Sequence, residues 1–595
     1  MGIRRALRGV VIALAAISAA QATLVSGRAD AQQRPTTAQV NPTPDGFPSS
    51  LSLPTIALPG INLSGERLKA MLNSGARGAR AITAIHAKRI SIPQISVTFA
   101  APGDGKGQGG SMGLSLTSIA LEDVRAGRAG NVTIGRIGWA TQAGGAKLEN
   151  VAIRDVDIEA LLALYGGTGQ GDATRIQDIA AKTTAASGTI TSRGVSCTIG
   201  AIVMGAIRVR PSSSLLASAA PISETGKAQN AAGTGTLGWL LPAYRSLLNG
   251  FEADDAHLQD YHCEARIAGV PETAIDIKGV TLGAMHGGVD PTVAMEGLSV
   301  RLAGEPVASI REVILKPTDL TRFITVLKDA PAEIKTDWLV ANFRALIPAV
   351  EGFSFEDALF SLPLSSDPGN RQRLEILSFD AKLGNYRNAI PTSIDVDSIG
   401  IKFDLPETVT GPGAAALRAA GLTRFNGTMR VAAMWNESDE TISIRELSLT
   451  GRELGGIFLG GEIANVGKAL FSADTHEARS AVSDLAVKFV TIAVIDSGLG
   501  DLVARYVTRL QGGDPATARE VLAEKAKAMV SGALAASPSV TAMADAVGAL
   551  ASGSRKNLDV TIQAHGIGLD MADLSDIVNT YPALLQRVRI DAEAK

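Results

Sequence analysis

The segment Gly109-Gly110-Ser111-Met112-Gly113 has the G-x-S-x-G spacing of serine hydrolases. In those enzymes a strand precedes the serine and a helix follows it, which holds the hydroxyl on a sharp turn. Here a glycine-rich loop precedes Ser111, and the alternating apolar run 114–121 predicts a strand after it. The glycines at 105, 107 and 110 have dinucleotide-site spacing, but such a site must open a helix. We therefore interpret 102–110 as a hairpin loop, and a hydrolase using Ser111 is the less favoured alternative.

A second group of chemically capable side chains lies between residues 252 and 264. Its members are Asp254, Asp255, His257, Asp260, His262, Cys263 and Glu264. His257 and His262 are five residues apart, which places them on opposite faces of a strand and well apart around a helix. The spacing argues against a metal site, and we interpret these residues as solvated side chains of an exposed strand. No catalytic, cofactor-binding or metal-ligating residue is predicted, and no cofactor is expected.

Cys197 and Cys263 are the only cysteines of the chain. Each lies in an alternating apolar run that predicts a strand, namely 195–199 and 261–265. In an exported protein two such cysteines favour a disulfide, which would join the strands on either side of an insertion. Two separately buried thiols are the alternative.

Composition excludes several classes of protein without naming a reaction or a ligand. The chain has 595 residues, a formal net charge of -3 and 46% hydrophobic residues. The near-neutral balance argues against a nucleic-acid partner, whose binding would need a basic excess. The apolar fraction is too high for a disordered chain, and two cysteines cannot make a disulfide-dense scaffold. The length allows two to four domains of about 150 residues each.

The first 31 residues have the features of a secretory signal peptide. Arg4, Arg5 and Arg8 precede an apolar run, 10–20, and cleavage patterns end at residues 22 and 31. We expect cleavage after Ala31 and a periplasmic location. An uncleaved inner-membrane anchor is the alternative, because 9–27 carries no charge. The proline-rich segment 32–60 predicts an extended linker.

The strongest structural signal is an alternating pattern with a one-residue slip, apolar-x-apolar-x-x-apolar-x-apolar. Runs of this kind begin at Leu114, Ile275, Val293, Leu374, Ile394 and Ile442. In an uninterrupted strand the slip would turn every later apolar group to the other face. A β-bulge would absorb the extra residue and bend the strand, so the pattern predicts a long curved sheet with one apolar face. Two short strands joined by a bend are the alternative.

Helical periodicity occurs in fewer places. Segments that begin at Asp157, Asp319 and Asp573 each predict a short capped helix, although ordinary capped helices could match this pattern by chance. Residues 238–251 predict one apolar helix, and 501–510, 515–534 and 538–551 predict a run of three. The expected fold is mainly β (α+β), with elongated, curved antiparallel sheet modules, flanking amphipathic helices and a helical C-terminal addition.

The expected organisation follows from these elements. It comprises a signal peptide (1–31), a linker (32–60), a first β-rich module (61–211), an insertion with an apolar helix (212–250), a second β-rich module (251–385) and a C-terminal β-rich module (386–595) with the helical segment 501–551.

The C-terminal part resembles a group of exported proteins. Trp435, the run 441–449, the glycine-rich segment 455–461 and then 496–501 occur in an order that resembles uncharacterised AsmA-like and YdgA-type periplasmic proteins of Gram-negative bacteria. The resemblance covers roughly 423–595 and carries no catalytic residues. AsmA-like proteins usually begin with a membrane anchor, whereas this chain has a signal-like start.

The predicted function is that of a non-enzymatic envelope protein. We expect it to bind lipid or another apolar ligand in a groove of its sheet. A structural or protein-interaction scaffold, with an envelope protein as partner, is the alternative.

Overall fold

The computed structural model describes most of the chain as two compact units. The described residues are 50–52, 83–100, 111–141, 144–165, 176–192, 194–209, 251–267, 271–286, 289–328, 338, 342, 346–363, 371–405, 417–566, 568–571, 573 and 583–595. The first unit holds those up to residue 308 and those in 312–342, and the second holds Ser309–Arg311 and those from 346 onward. The predicted signal peptide, the predicted insertion and most of the linker lie outside the described residues. The fold is mainly β, as predicted.

The elements up to residue 328 are mostly antiparallel strands. In chain order they are β1 (Ser50–Ser52), β2 (Ala87–Ala100), β3 (Ser111–Val124), β4 (Arg128–Thr141), β5 (Gly144–Asp157), α1 (Ile158–Tyr165), β6 (Gln177–Ala180), β7 (Lys182–Ala185), β8 (Ser187–Ser192), β9 (Val195–Ile199), β10 (Ile202–Met204), β11 (Ile207–Val209), β12 (Phe251–Ala253), β13 (Ala256–Ala265), β14 (Thr273–Leu282), β15 (Val289–Asp290), β16 (Val293–Leu302), β17 (Glu305–Leu315), β18 (Thr318–Asp319) and α2 (Thr321–Lys328). Phe251, predicted as the end of a helix, therefore begins a strand, because it pairs with Val209 of β11.

The first unit's main sheet is a meander. Strands β1 to β5 pair in order, and β5 then pairs with both β7 and β8. Strand β7 pairs with β10, and β8 pairs with β9. Both β10 and β9 pair with β13, which pairs with β14, and β14 pairs with β16. Its core is built from apolar residues that face each other across β2–β5. Ile92, Ile119, Ile134 and Val151 form one such row, and all four are buried.

Neighbouring strands of the first unit make the predicted slip at the same level of the sheet. Pro93 lies opposite Ser118, and Gly135 lies opposite Asn150, while the register is the same before and after these positions. Ser118 and Asn150 have left-handed φ angles of 54° and 52°. The predicted bulge would place two residues against one. Here each strand carries its own extra residue, so the apolar side chains stay on one face without a change of register.

The second unit is an antiparallel meander with helical connections. Its elements are β19 (Ala349–Val350), β20 (Gly352–Pro363), β21 (Arg371–Gly384), β22 (Ser393–Asp404), β23 (Arg424–Asn436), β24 (Thr441–Gly451), β25 (Gly455–Ala464), α3 (Thr475–Ala481), β26 (Ala486–Asp496), α4 (Leu499–Gln511), α5 (Pro515–Ala533), α6 (Val540–Ser552), β27 (Asn557–Ala564), β28 (Leu569–Asp570) and β29 (Val588–Ala594). Strands β20 to β27 pair in chain order, and β27 then pairs with β29. The module boundary placed at residue 385 falls in the turn between β21 and β22, which pair with each other.

The second unit contains both arrangements of the slip. Across β20–β22 the extra residues of neighbouring strands lie opposite each other and the register does not change; Asp357 and Gly400 there have φ angles of 49° and 67°. From β22 to β26 the register shifts at each pairing, which is the predicted bulge. One residue was assigned to the wrong face. Ile399 lies opposite Ser378 on the polar side, because the slip comes at Gly400 and leaves Ser398 on the apolar side.

Helices α1, α2 and α4 to α6 match the sequence patterns closely, whereas α3 was not predicted. Asp157 and Asp319 accept hydrogen bonds from the backbone N–H groups of Ala160 and Thr321, each at 2.8 Å, at the starts of α1 and α2. Helices α4, α5 and α6 confirm the predicted C-terminal run, and Asp514 caps α5. The third predicted capped helix, beyond Asp573, lies outside the described residues. No helix in the described ranges has the length and apolar character needed to cross a lipid bilayer.

Candidate apolar ligand site

One side of the second unit's sheet is apolar along most of its width. We define the apolar face by Phe353, Phe355, Phe379, Val396, Met429, Val431, Leu447, Leu449, Ile457 and Leu459, which lie on β20 to β25. Residues directly opposite each other in antiparallel strands point to the same side of the sheet. The register therefore decides which of these side chains form one surface.

Two rows of the apolar face run across the strands. One consists of Phe355, Phe379, Ser398, Met429, Leu449, Ile457 and Val494, and the next consists of Phe353, Ala381, Val396, Val431, Leu447, Leu459 and Ile492. Phe379 stacks between Phe355 and Phe353, with ring centroids 5.0 and 5.1 Å apart. The two rows are adjacent, so they form a continuous apolar surface.

Much of this surface is open to solvent. Leu449 is 53% exposed, Ile457 48%, Leu447 42% and Phe353 40%. An isolated exposed leucine is ordinary, whereas adjacent large apolar groups on one face mark an interaction surface. Leu447 and Leu449 lie opposite Leu459 and Ile457, so the exposure is concentrated on two neighbouring strands.

Helix α6 covers the same sheet side farther along, over β26, β27 and β29. Its Met543, Ala546, Val547 and Leu550 recur at helical spacing and pack in one apolar cluster with the strands. The strand residues of this cluster include Ile492, Val494, Leu558, Val560 and Ile590. Val494 is thus covered while its partner Ile457 on β25 is exposed. The open surface ends where this helical cover begins.

A second cluster covers the sheet near the start of β24. The Trp435 indole N–H donates to the carbonyl oxygen of Val466 at 2.7 Å, and its ring lies 4.4 Å from that of Phe471. Ile442 and Ile463 pack against these residues. Trp435 belongs to the segment that resembles AsmA-like proteins. Here it lies opposite Ile442, four residues along β23 from Val431, so this cluster borders the apolar face in the strand direction.

The opposite side of the sheet is polar and charged. Glu375 forms ion pairs with Arg373 at 2.9 Å and Arg424 at 3.0 Å. Arg430 lies 3.5 Å from Glu446. Such exposed pairs contribute little to stability, but they keep this side well solvated. The sheet is therefore amphipathic, and only its apolar side is suited to a hydrophobic ligand.

A buried cluster of charged side chains connects helices α4, α5 and α6 to the sheet. Arg519 of α5 donates to Asp496 at the end of β26 at 3.1 Å, to Asp501 of α4 at 2.9 Å and to the carbonyl oxygen of Ala551 of α6 at 3.4 Å. Asp496 also accepts the backbone N–H groups of Gly498 and Gly500, at 2.9 and 3.0 Å. Arg519 therefore links three helices to one strand end.

The protonation of Asp496 reflects this environment. Burial by itself raises the pKa of Asp496, but the N–H groups of Gly500 and Gly498 and the Arg519 guanidinium together outweigh it. The net effect is a pKa below the ordinary value for aspartate. The carboxylate is thus held in its charged form, as the ion pair with Arg519 requires.

The structure joins Cys197 and Cys263, as predicted from sequence. They are directly opposite on the paired strands β9 and β13, with Cα atoms 4.0 Å apart, and form a disulfide. The Tyr261 hydroxyl lies 3.6 Å from the Cys197 sulfur, and burial raises the pKa of Tyr261. The bond joins strands on either side of 210–250, so it closes the loop that contains the predicted insertion.

The other candidate residues are not brought into a catalytic arrangement. Ser111 is the first residue of β3, where it pairs with Ala100 on β2, and no helix follows it. His257 contacts Asp255 at 2.8 Å, whereas His262 contacts Asp276 at 2.6 Å. Among the described residues, no group of three or more histidine, cysteine, aspartate or glutamate side chains is placed to hold a metal ion.

Part of the apolar face was not identified from sequence. The pairs Phe353-x-Phe355 and Met429-x-Val431 alternate as a strand should, but neither was among the slipped runs that we singled out. Six of the chain's 14 phenylalanines (Phe353, Phe355, Phe360, Phe379, Phe403 and Phe425) lie on β20–β23. In a chain with few aromatic residues, this local enrichment was the available signal.

Comparisons with protein-family models, with curated proteins and with solved structures find no match to this chain.

Proposed function

We propose that this chain is a non-enzymatic envelope protein whose apolar face binds the hydrocarbon part of a lipid. The observation that supports this proposal is the exposure of Leu447, Leu449, Ile457 and Phe353 on one continuous surface. Covering side chains that are about half exposed gains about 1 kcal/mol each, so this group supplies about 4 kcal/mol. A flexible acyl chain can follow side chains that lie in a row across several strands, which makes it a better fit than a rigid polar metabolite.

A periplasmic location completes the proposal. The Cys197–Cys263 bond is compatible with an exported protein, because disulfides persist in oxidising compartments. The signal-like N-terminal sequence and the resemblance to AsmA-like proteins favour the same location, and both stay predictions. An envelope location would place the apolar face within reach of lipid.

Lipid extraction tests the proposal. The full-length protein is expressed with its own N-terminus and purified without detergent, and the extract is analysed by mass spectrometry. We expect phospholipid to copurify with the wild type and to be lost from a Leu449→Glu, Ile457→Glu variant. Leu377→Glu is the matched control, because Leu377 is 56% exposed but belongs to neither of these two rows.

The outcomes separate the proposal from its alternative. Lipid retained by the control and lost from the double variant supports binding at the apolar face. Lipid-free wild-type protein that crosslinks to one dominant envelope protein through Leu449 would instead establish the scaffold function. Equal lipid in all three proteins would contradict the assignment to this face.

A further inference from the structure

The two rows that cross the apolar face contain one polar side chain. Ser398 on β22 lies directly opposite Phe379 on β21 and Met429 on β23, so it points to the apolar side of the sheet. It is 2% exposed, and no hydrogen bond joins its hydroxyl to any other residue that the structure describes. A buried hydroxyl without a partner destabilises a fold, which points to a hydrogen-bonding group that comes from a ligand.

The surroundings of Ser398 decide which chemical group that is. A water molecule needs several polar partners, and the row neighbours of Ser398 offer none with their side chains. A carboxylate would lose its hydration there without gaining a cation. An uncharged carbonyl oxygen needs only one donor, and an ester places such an oxygen at the head of an acyl chain. Met429 is unbranched and has several rotatable bonds, so it can move aside to admit this oxygen.

The distance from Ser398 to the end of the open surface fits one acyl chain. Met429, Leu449 and Ile457 follow Ser398 on the next three strands, and Val494 on β26 lies under helix α6. At about 4.8 Å per strand, β22 and β25 are about 14 Å apart. One leaflet of a bilayer, which is one acyl chain deep, has a hydrocarbon thickness of about 15 Å. The exposed Leu449 and Ile457 would thus lie under the chain, with its methyl end at helix α6.

We propose that Ser398 selects lipids with ester-linked acyl chains, by donating a hydrogen bond to the ester carbonyl oxygen while the chain lies along the row toward Ile457. This selectivity rests on the proposed lipid binding, and it adds which chemical group the apolar face recognises and how the chain is oriented. Hydrocarbon contact alone would not distinguish an ester from an ether. The hydrogen bond does distinguish them, because an ether has no carbonyl oxygen.

Titration calorimetry on the delipidated full-length protein tests this selectivity. The probes are palmitoyl lysophosphatidylcholine and its hexadecyl ether analogue, which share a headgroup and a chain length and differ in the carbonyl group. We expect the wild type to bind the ester about fivefold more tightly, the ratio that one hydrogen bond of ordinary strength gives. In Ser398→Ala the ester should bind only as tightly as the ether, while the ether should bind as it does to the wild type.

Ser448→Ala is the matched control, because Ser448 is a buried serine on the opposite side of the same sheet. It lies opposite Arg430, and its hydroxyl donates to Glu446 at 2.8 Å. This variant should keep the wild-type preference for the ester. Urea unfolding without lipid adds a measurement of stability. Ser398→Ala should be at least as stable as the wild type, because its lost hydroxyl had no partner.

The outcomes separate this selectivity from lipid binding itself. Equal binding of both probes to the wild type, with neither binding to Leu449→Glu, Ile457→Glu, would overturn the function of Ser398 and leave lipid binding in place. Binding of neither probe to the wild type would refute both. An ester preference that survives in Ser398→Ala would overturn the proposal. A lower unfolding midpoint of lipid-free Ser398→Ala would also overturn it, since the hydroxyl would then stabilise the fold.

Discussion

Replacing Arg519 by methionine should destabilise the second unit strongly. Arg519 and Asp496 are 8% and 7% exposed, so the variant leaves a buried carboxylate without its cation. Removing one partner of a buried pair costs about 3–5 kcal/mol. The site has little room to adapt, because a Cβ on Gly500 or Gly553 would lie only 2.5 or 2.6 Å from guanidinium atoms. The guanidinium thus fills a close-packed space between α4, α5 and α6.

Thermal and urea unfolding, followed by far-UV circular dichroism and tryptophan fluorescence, measure the effect. The second unit contains the buried Trp435, and a loss of this size should lower its melting temperature by about 10 °C. Lys527→Gln is the control, because its ion pair with Asp545 also joins α5 to α6 but is exposed. That change should cost under about 0.5 kcal/mol. Adding Asp496→Asn to Arg519→Met should recover part of the loss, since it removes the stranded charge. An Arg519→Met variant as stable as Lys527→Gln would refute the anchoring function of this cluster.

Three further predictions concern stability. Because the folded-state pKa of Asp496 is lowered, its carboxylate stabilises the fold above the unfolded pKa of about 4, and this stabilisation is lost as the pH falls through the folded-state pKa. In an acid titration, the free energy of unfolding of Asp496→Asn should therefore fall less steeply over this pH range than that of the wild type. The double variant Cys197→Ala, Cys263→Ala should lose about 4 kcal/mol in urea unfolding of the first unit, given the 66-residue separation, and an unchanged midpoint would contradict a structural disulfide. Gly352→Ala should cost about 3 kcal/mol or more, because its φ is 130° and the new Cβ would lie 1.9 Å from a carbonyl oxygen, whereas Gly384→Ala meets nothing within 4 Å and should be close to neutral in the same melts.

The strands and their apolar side follow from local sequence. Leu447 and Leu449 were assigned to one face with Ile442 and Ile444 because the slip keeps them there, and β24 has this arrangement. Ile399 was assigned wrongly, since alternation alone does not show which residue takes the slip. A glycine with a left-handed φ, Gly400, decides it.

The candidate site was less predictable because it depends on what covers the sheet. Helix α6 was identified from its periodicity, but nothing in its sequence states that it packs on β26–β29 and leaves β24 and β25 open. The Arg519–Asp496 pair joins residues 23 positions apart and depends on where α5 docks. The cysteine pair was easier to predict, since a chain with only two cysteines offers one intramolecular pairing.

The most direct test of the account is photocrosslinking from the apolar face in cells. A photoreactive phenylalanine analogue is placed at Leu449, at Ile457 and, as control, at Leu377, and adducts are identified by mass spectrometry after irradiation. The account predicts lipid adducts at Leu449 and Ile457 and none at Leu377. Protein adducts without lipid at the first two positions, or equal lipid labelling at all three, would contradict it.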